Sequence, residues 1–97
     1  MLEQAPVAML LLRGEDLIME SANDAMLQII QKDKSALGKP LGEVLPEMKA
    51  QDAWKIMQQV FQTGEPYYIS HLPVELEKQG QMEKAHFTVS YVPLKEH

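Results

Sequence analysis

The chain has 97 residues, 45% of them apolar, with a mean hydropathy of −0.24, which suffices for one domain with a single core and not for two. It contains no cysteine, which excludes disulfides, thiolate nucleophiles, cysteine-ligated zinc, iron–sulfur clusters and cysteinyl flavin adducts. The formal charge is −5 and the nine Lys and Arg are scattered singly, whereas nucleic-acid binders cluster them against phosphates, so neither a nucleic-acid partner nor membrane contact is expected.

Residues 7–12 form a continuously apolar run, read as a strand buried on both faces and central in its sheet, with Pro6 just before it. The turn-like cluster Arg13, Gly14, Glu15 and Asp16 separates it from a second run at 17–20, which predicts a hairpin. From residue 22 the period changes. Ala22, Ala25, Met26, Ile29 and Ile30 fall on one face of an amphipathic helix that Ser21 or Asn23 can cap, with Asp24 as a first-turn charge favoured by the helix dipole. Gly38 and Pro40 break any long helix, so 33–48 should hold one or two short helical turns anchored by Leu37, Leu41, Val44 and Leu45.

A second amphipathic helix is predicted from residue 50 or 51 to 62. Ala53, Ile56, Met57, Val60 and Phe61 make its buried stripe, Trp54 flanks it, and Gly64 and Pro66 end it. The last third alternates around a Gln79-Gly80 turn. This register sets Val74 opposite Ala85, Leu72 opposite Phe87 and Tyr68 opposite Tyr91 on one face, and Glu75 opposite Lys84 on the other.

Three segments occur in order: Ser21-Ala22-Asn23-Asp24-Ala25, Leu37-Gly38-Lys39-Pro40-Leu41 and Thr63-Gly64-Glu65-Pro66-Tyr67. With the elements between them they resemble a PAS domain, the small sensory module of signalling proteins. The resemblance extends from the approach to the first strand at 2–9 to the strand and Pro-containing turn at 87–93. It implies an α+β fold (α/β PAS-like), an antiparallel sheet with helices packed on one face. The family's fifth strand lies between the first and fourth. The sequence closes on Leu94-Lys95-Glu96-His97 without it, so a fragment of a longer sensor is expected, either dimerising through its open edges or closing the gap with its own terminal segment.

By the same resemblance the chain is expected to be a sensory and dimerisation module of a sensor histidine kinase in a two-component system. The expected partners are a second copy, a downstream output domain in the parent chain and a small apolar ligand. The module itself is expected to lack enzymatic activity, and no particular cofactor is implied. With no cysteine and no visible secretory signal, a cytoplasmic location is expected. The alternative fold is a cone-shaped α+β barrel of the ketosteroid isomerase type, in which Asp16, Asp24 and Glu43 would be the candidate acid–base groups.

Methionine fills irregular volumes, and four of the seven, Met9, Met19, Met26 and Met57, fall on runs assigned to the core or its rim. A soft apolar pocket would be walled by Met26, Ile30, Trp54, Met57, Phe61, Leu72, Phe87 and Tyr91. The dimer surface is placed on Tyr67, Ile69, Ser90 and Val92, the sheet face turned away from the helices. His71 and His86 come near each other in the predicted register, but no carboxylate is placed to complete a metal set, and the long helix carries no axial histidine for haem.

Overall fold

Residues 7–94, those that the computed structural model describes, form four strands, three α-helices and two 3₁₀ turns. The readings at 1–6 and 95–97 lie outside the described residues. The chain divides into two compact units, Met1–Val44 and Leu45–His97. The strands pair as two antiparallel hairpins, one in each unit.

In the first unit, β1 (Leu10–Arg13) pairs with β2 (Ile18–Ala22) across a turn at 14–17. Leu17 closes that turn in the left-handed region at φ +53° and donates its N–H to the Gly14 carbonyl at 3.1 Å. A left-handed non-glycine residue costs about 1–2 kcal/mol. Burying a leucine contributes about 1.5–3 kcal/mol, and Leu17 is only 4% exposed, so burial holds the strained turn in place.

The predicted double-sided burial of 7–12 is corrected. β1 starts at Leu10 and is half-buried, it pairs only with β2 among the described residues, and Val7 and Met9 are exposed. The backbone before β1 is engaged by Asn23. The Asn23 side chain donates to the Val7 carbonyl at 2.6 Å and accepts from the Met9 N–H at 3.0 Å. Its main-chain N–H donates to the Met9 carbonyl at 3.1 Å.

The other edge of β2 is covered by residues 38–41. Gly38 N–H donates to the Met19 carbonyl (2.7 Å), Met19 N–H to the Lys39 carbonyl (2.9 Å) and Leu41 N–H to the Leu17 carbonyl (2.9 Å), around an Ile18–Pro40 bridge. Gly38 sits at φ +88°, where a Cβ would meet nothing within 4 Å, so glycine is needed for its dihedral freedom and not for space.

α1 (Asp24–Ile30) is capped by Asn23, whose Oδ1 also accepts from the Met26 N–H at 3.0 Å. Leu27 and Ile30 are its buried residues, with Ala25, Met26 and Ile29 half-buried, so the core face is turned toward Leu27 relative to the predicted stripe. A 3₁₀ turn (Lys34–Ala36) and α2 (Leu41–Val44) follow, and Met19 and Leu41 are almost fully enclosed.

The second unit opens with a 3₁₀ turn (Pro46–Ala50) and α3 (Asp52–Thr63), which stops where Gly64 turns left-handed at φ +72° and donates to the Val60 carbonyl. Ala53, Met57 and Val60 are buried; Ile56 is half-buried and Phe61 is 47% exposed, so the predicted stripe is narrowed on both sides. β3 (Tyr67–Lys78) and β4 (Gln81–Tyr91) meet at Gln79-Gly80, both at positive φ, as a two-residue hairpin turn requires.

From the turn to Leu72–Phe87 the register is the predicted one, including Val74–Ala85 and Glu75–Lys84. Beyond it, a bulge between Ile69 and Leu72 inserts one extra residue, so Tyr67, not Tyr68, faces Tyr91, and Tyr68 faces Ser90. His71 occupies the bulge at φ +59° and is exposed. Replacing His71 with Gly removes a left-handed penalty without removing a buried contact. The expected result is a gain of about 0.5–1 kcal/mol in a urea midpoint, and a loss would contradict the bulge as the source of strain.

Candidate functional site

The second unit assembles its core where α3 and the 46–50 turn pack against β3. Met48, Ala53, Met57 and Val60 supply the helical side, and Leu72, Val74 and Leu76 the buried face of β3. Six of the eight pocket candidates lie in this unit. Met57 and Leu72 are buried, Trp54, Phe87 and Tyr91 are half-buried, and Phe61 is exposed. Leu72 and Phe87 are direct cross-strand partners, and Met57 and Phe61 stand one turn apart on α3. Met26, half-buried, and Ile30, buried, belong to α1 in the first unit. Burial raises the Tyr91 phenol above its ordinary value.

The dimer candidates do not share one face. The bulge turns Tyr67 and Ile69 to the side of Leu72, Val74 and Leu76, paired with Tyr91 and Val89, while Ser90 stays on the opposite side with Tyr68. Val92, just past β4, is 54% exposed, and Tyr68 is 67% exposed. The placement of Tyr67 and Ile69 on the outer face is thus corrected, because one inserted residue reverses the parity of everything before it.

His71 sits in the bulge and His86 lies opposite Pro73. No group of three or more His, Cys, Asp or Glu suited to a metal occurs among the described residues. Asp16 is in the β1–β2 turn, Asp24 in the first turn of α1 and Glu43 on α2, all exposed. No buried polar or charged side chain occurs among the described residues.

A solvent-open depression of about 400 Å³ lies within the first unit, lined by Gln31, Lys32, Asp33, Ser35, Ala36, Lys39, Glu43 and Val44. None of the eight apolar candidates borders it, and four of its lining side chains are charged. At its rim Asp33 caps the 34–36 turn, accepting from the Ser35 N–H at 2.9 Å and from the Ser35 hydroxyl. The hydroxyl bond first, then the N–H bond and the charge of Lys39, hold the Asp33 carboxyl below its usual 3.8.

Sequence reasoning missed Gln51 and Pro73. The Gln51 amide bonds both backbone groups of Glu75, and Glu47 accepts from the Glu77 N–H, along the edge of β3 that β4 does not cover. Successive residues of a strand point their N–H groups to alternate edges, so the nitrogen of Pro73 also faces that edge, where no ladder bond is lost. A proline inside an alternating run was the available signal for an edge strand.

A family model described as PAS fold matches residues 2–97. No curated protein matches the chain. The family match decides for the PAS fold over the cone-shaped barrel.

Because the folded Asp33 carboxyl is depressed, its capping contribution is complete above the ordinary value of 3.8 and is lost as pH falls through the lower folded value. The Ser35 amide resonance should therefore titrate below 3.8. A midpoint at or above that value would contradict the cap.

Proposed function

Because the chain belongs to the PAS fold family, we propose that it is the sensory and dimerisation module of a cytoplasmic signal-transduction protein of the sensor histidine kinase type. Catalysis and output belong to other parts of the parent protein. The observation that carries the sensory reading is the use of methionine inside each unit: Met19 is buried in the first, at 0% exposure, and Met48 and Met57 in the second, at 7% and 8%. Unbranched thioether side chains repack at low cost, which suits a core that admits a small apolar ligand. Met57, Leu72 and Phe87 form the nucleus of the ligand-responsive region, with Trp54, Phe61 and Tyr91 of the same unit as the wider set.

Signal transmission requires a ligand or partner that binds one of two arrangements more tightly than the other. The β3–β4 hairpin is the element that carries the change to a second copy. Tyr68 and Ser90 on its outer face, with Val92 beside them, form the dimer surface.

Two measurements test the reading. A panel of small apolar compounds, followed by thermal unfolding, should give at least one saturable stabilisation, worth about 2.7 kcal/mol at a hundredfold excess over Kd. The Met57→Ala variant should lose that response. Stabilisation that never saturates, or that survives in Met57→Ala, would contradict the ligand site. Tyr68→Glu should lower the association constant in sedimentation equilibrium by about tenfold or more while leaving the circular dichroism spectrum unchanged. Unaltered association would reject the placement of the dimer surface.

A further inference from the structure

Among the described residues, β3 is paired along one edge only, with β4. On its other edge, Gln51 Nε2 donates to the Glu75 carbonyl at 2.8 Å and Gln51 Oε1 accepts from the Glu75 N–H at 2.8 Å. This two-bond exchange is the pattern a residue of a neighbouring antiparallel strand would make. The same Nε2 donates to the Glu47 carbonyl at 2.9 Å, and the Glu47 carboxylate accepts from the Glu77 N–H at 3.1 Å. From Pro73 to Glu77, every N–H on this edge is therefore either absent or bonded to a side chain.

Gln51 also stands at a junction. Its backbone is extended (φ −105°, ψ 157°), it ends the 46–50 turn, and it precedes the first residue of α3. Its carbonyl accepts from the Trp54 N–H at 3.1 Å and the Lys55 N–H at 3.5 Å. One residue thus holds the first turn of α3 on its backbone and the edge of β3 on its side chain.

We propose that Gln51 is a latch that couples α3 to the β3–β4 hairpin. With its amide seated on Glu75, helix and hairpin move together; when the amide withdraws, the β3 edge at Glu75 is freed and the start of α3 loosens. Neutral hydrogen bonds at an exposed edge exchange with water at small net cost, which makes the contact reversible. The use of the latch in signalling rests on the sensory reading above. Its existence does not, and its test needs no ligand.

The test is amide hydrogen exchange by NMR on the full 97-residue chain, comparing wild type with Gln51→Ala. Exchange at Glu75 should accelerate about tenfold or more, and at Lys55 several-fold, while Val74 and Leu76, whose N–H groups face β4, stay unchanged. Unchanged Glu75 would mean that the clamp does not form in solution. Acceleration at Glu75 without Lys55 would mean an edge cap with no coupling, and equal acceleration everywhere would mean a general loss of stability. Each of these overturns the proposal.

Gln51→Glu gives an independent arm. The ionised carboxylate cannot donate to Glu75, and protonation restores a donor. The Glu75 and Lys55 amide resonances should both titrate with the introduced carboxyl; a Lys55 resonance that does not follow would overturn the coupling. A failed ligand screen alongside a confirmed latch would count against the sensory reading alone.

Discussion

A polypeptide that leaves a strand and enters a helix must satisfy two sets of backbone groups at one corner: the end of a ladder and the exposed N–H groups of the first helical turn. In this chain a single carboxamide does both. Asn23 Oδ1 accepts from Met26 at the start of α1 and from Met9 before β1, while Nδ2 donates to Val7. The helix direction is thereby fixed against the strand. The β1–β2 hairpin and the 38–41 segment that runs along the outer edge of β2 lie in the same unit as that corner. A serine or aspartate could cap the helix, but neither carries the amide donor that reaches Val7.

The second unit uses the same chemistry at another corner. Gln51, like Asn23, sits between two elements in extended backbone; Asn23 lends its amide to the segment leading into β1, and Gln51 lends its amide to β3. Both amides occupy places where regular pairing stops, and unpaired backbone there would face solvent or invite another chain. Side-chain capping closes such edges without permanent pairing.

The parts legible in the sequence were those with a local chemical cause. Gln79-Gly80 carried the positive φ of its turn, and alternation then fixed the register from Lys78–Gln81 back to Leu72–Phe87. Gly64 marked the end of α3, and Asn23 was one of two candidate caps for α1. The failures share a different cause. Ser70 and His71 bear no glycine or proline to announce a bulge, so the parity of Tyr67, Tyr68 and Ile69 was read one residue out. Phe61 keeps helical spacing with Met57 but lies at the rim, because apolar periodicity gives the direction of a stripe and not its width. Of the residues singled out for binding, the pairing of Leu72 with Phe87 could be read from the pattern, whereas the edge contacts of Gln51 had no sequence cue beyond Pro73.

The most direct test of this account is the urea unfolding of Asn23→Ala and Asn23→Asp beside the wild-type chain. Three side-chain hydrogen bonds at about 0.5–1.5 kcal/mol each predict a loss of roughly 2–3 kcal/mol for the alanine variant. Aspartate, which keeps the cap but cannot donate to Val7, should lose about 1 kcal/mol. If alanine costs less than about 0.5 kcal/mol, or if aspartate is as costly as alanine, the corner is not held by the amide and the account fails.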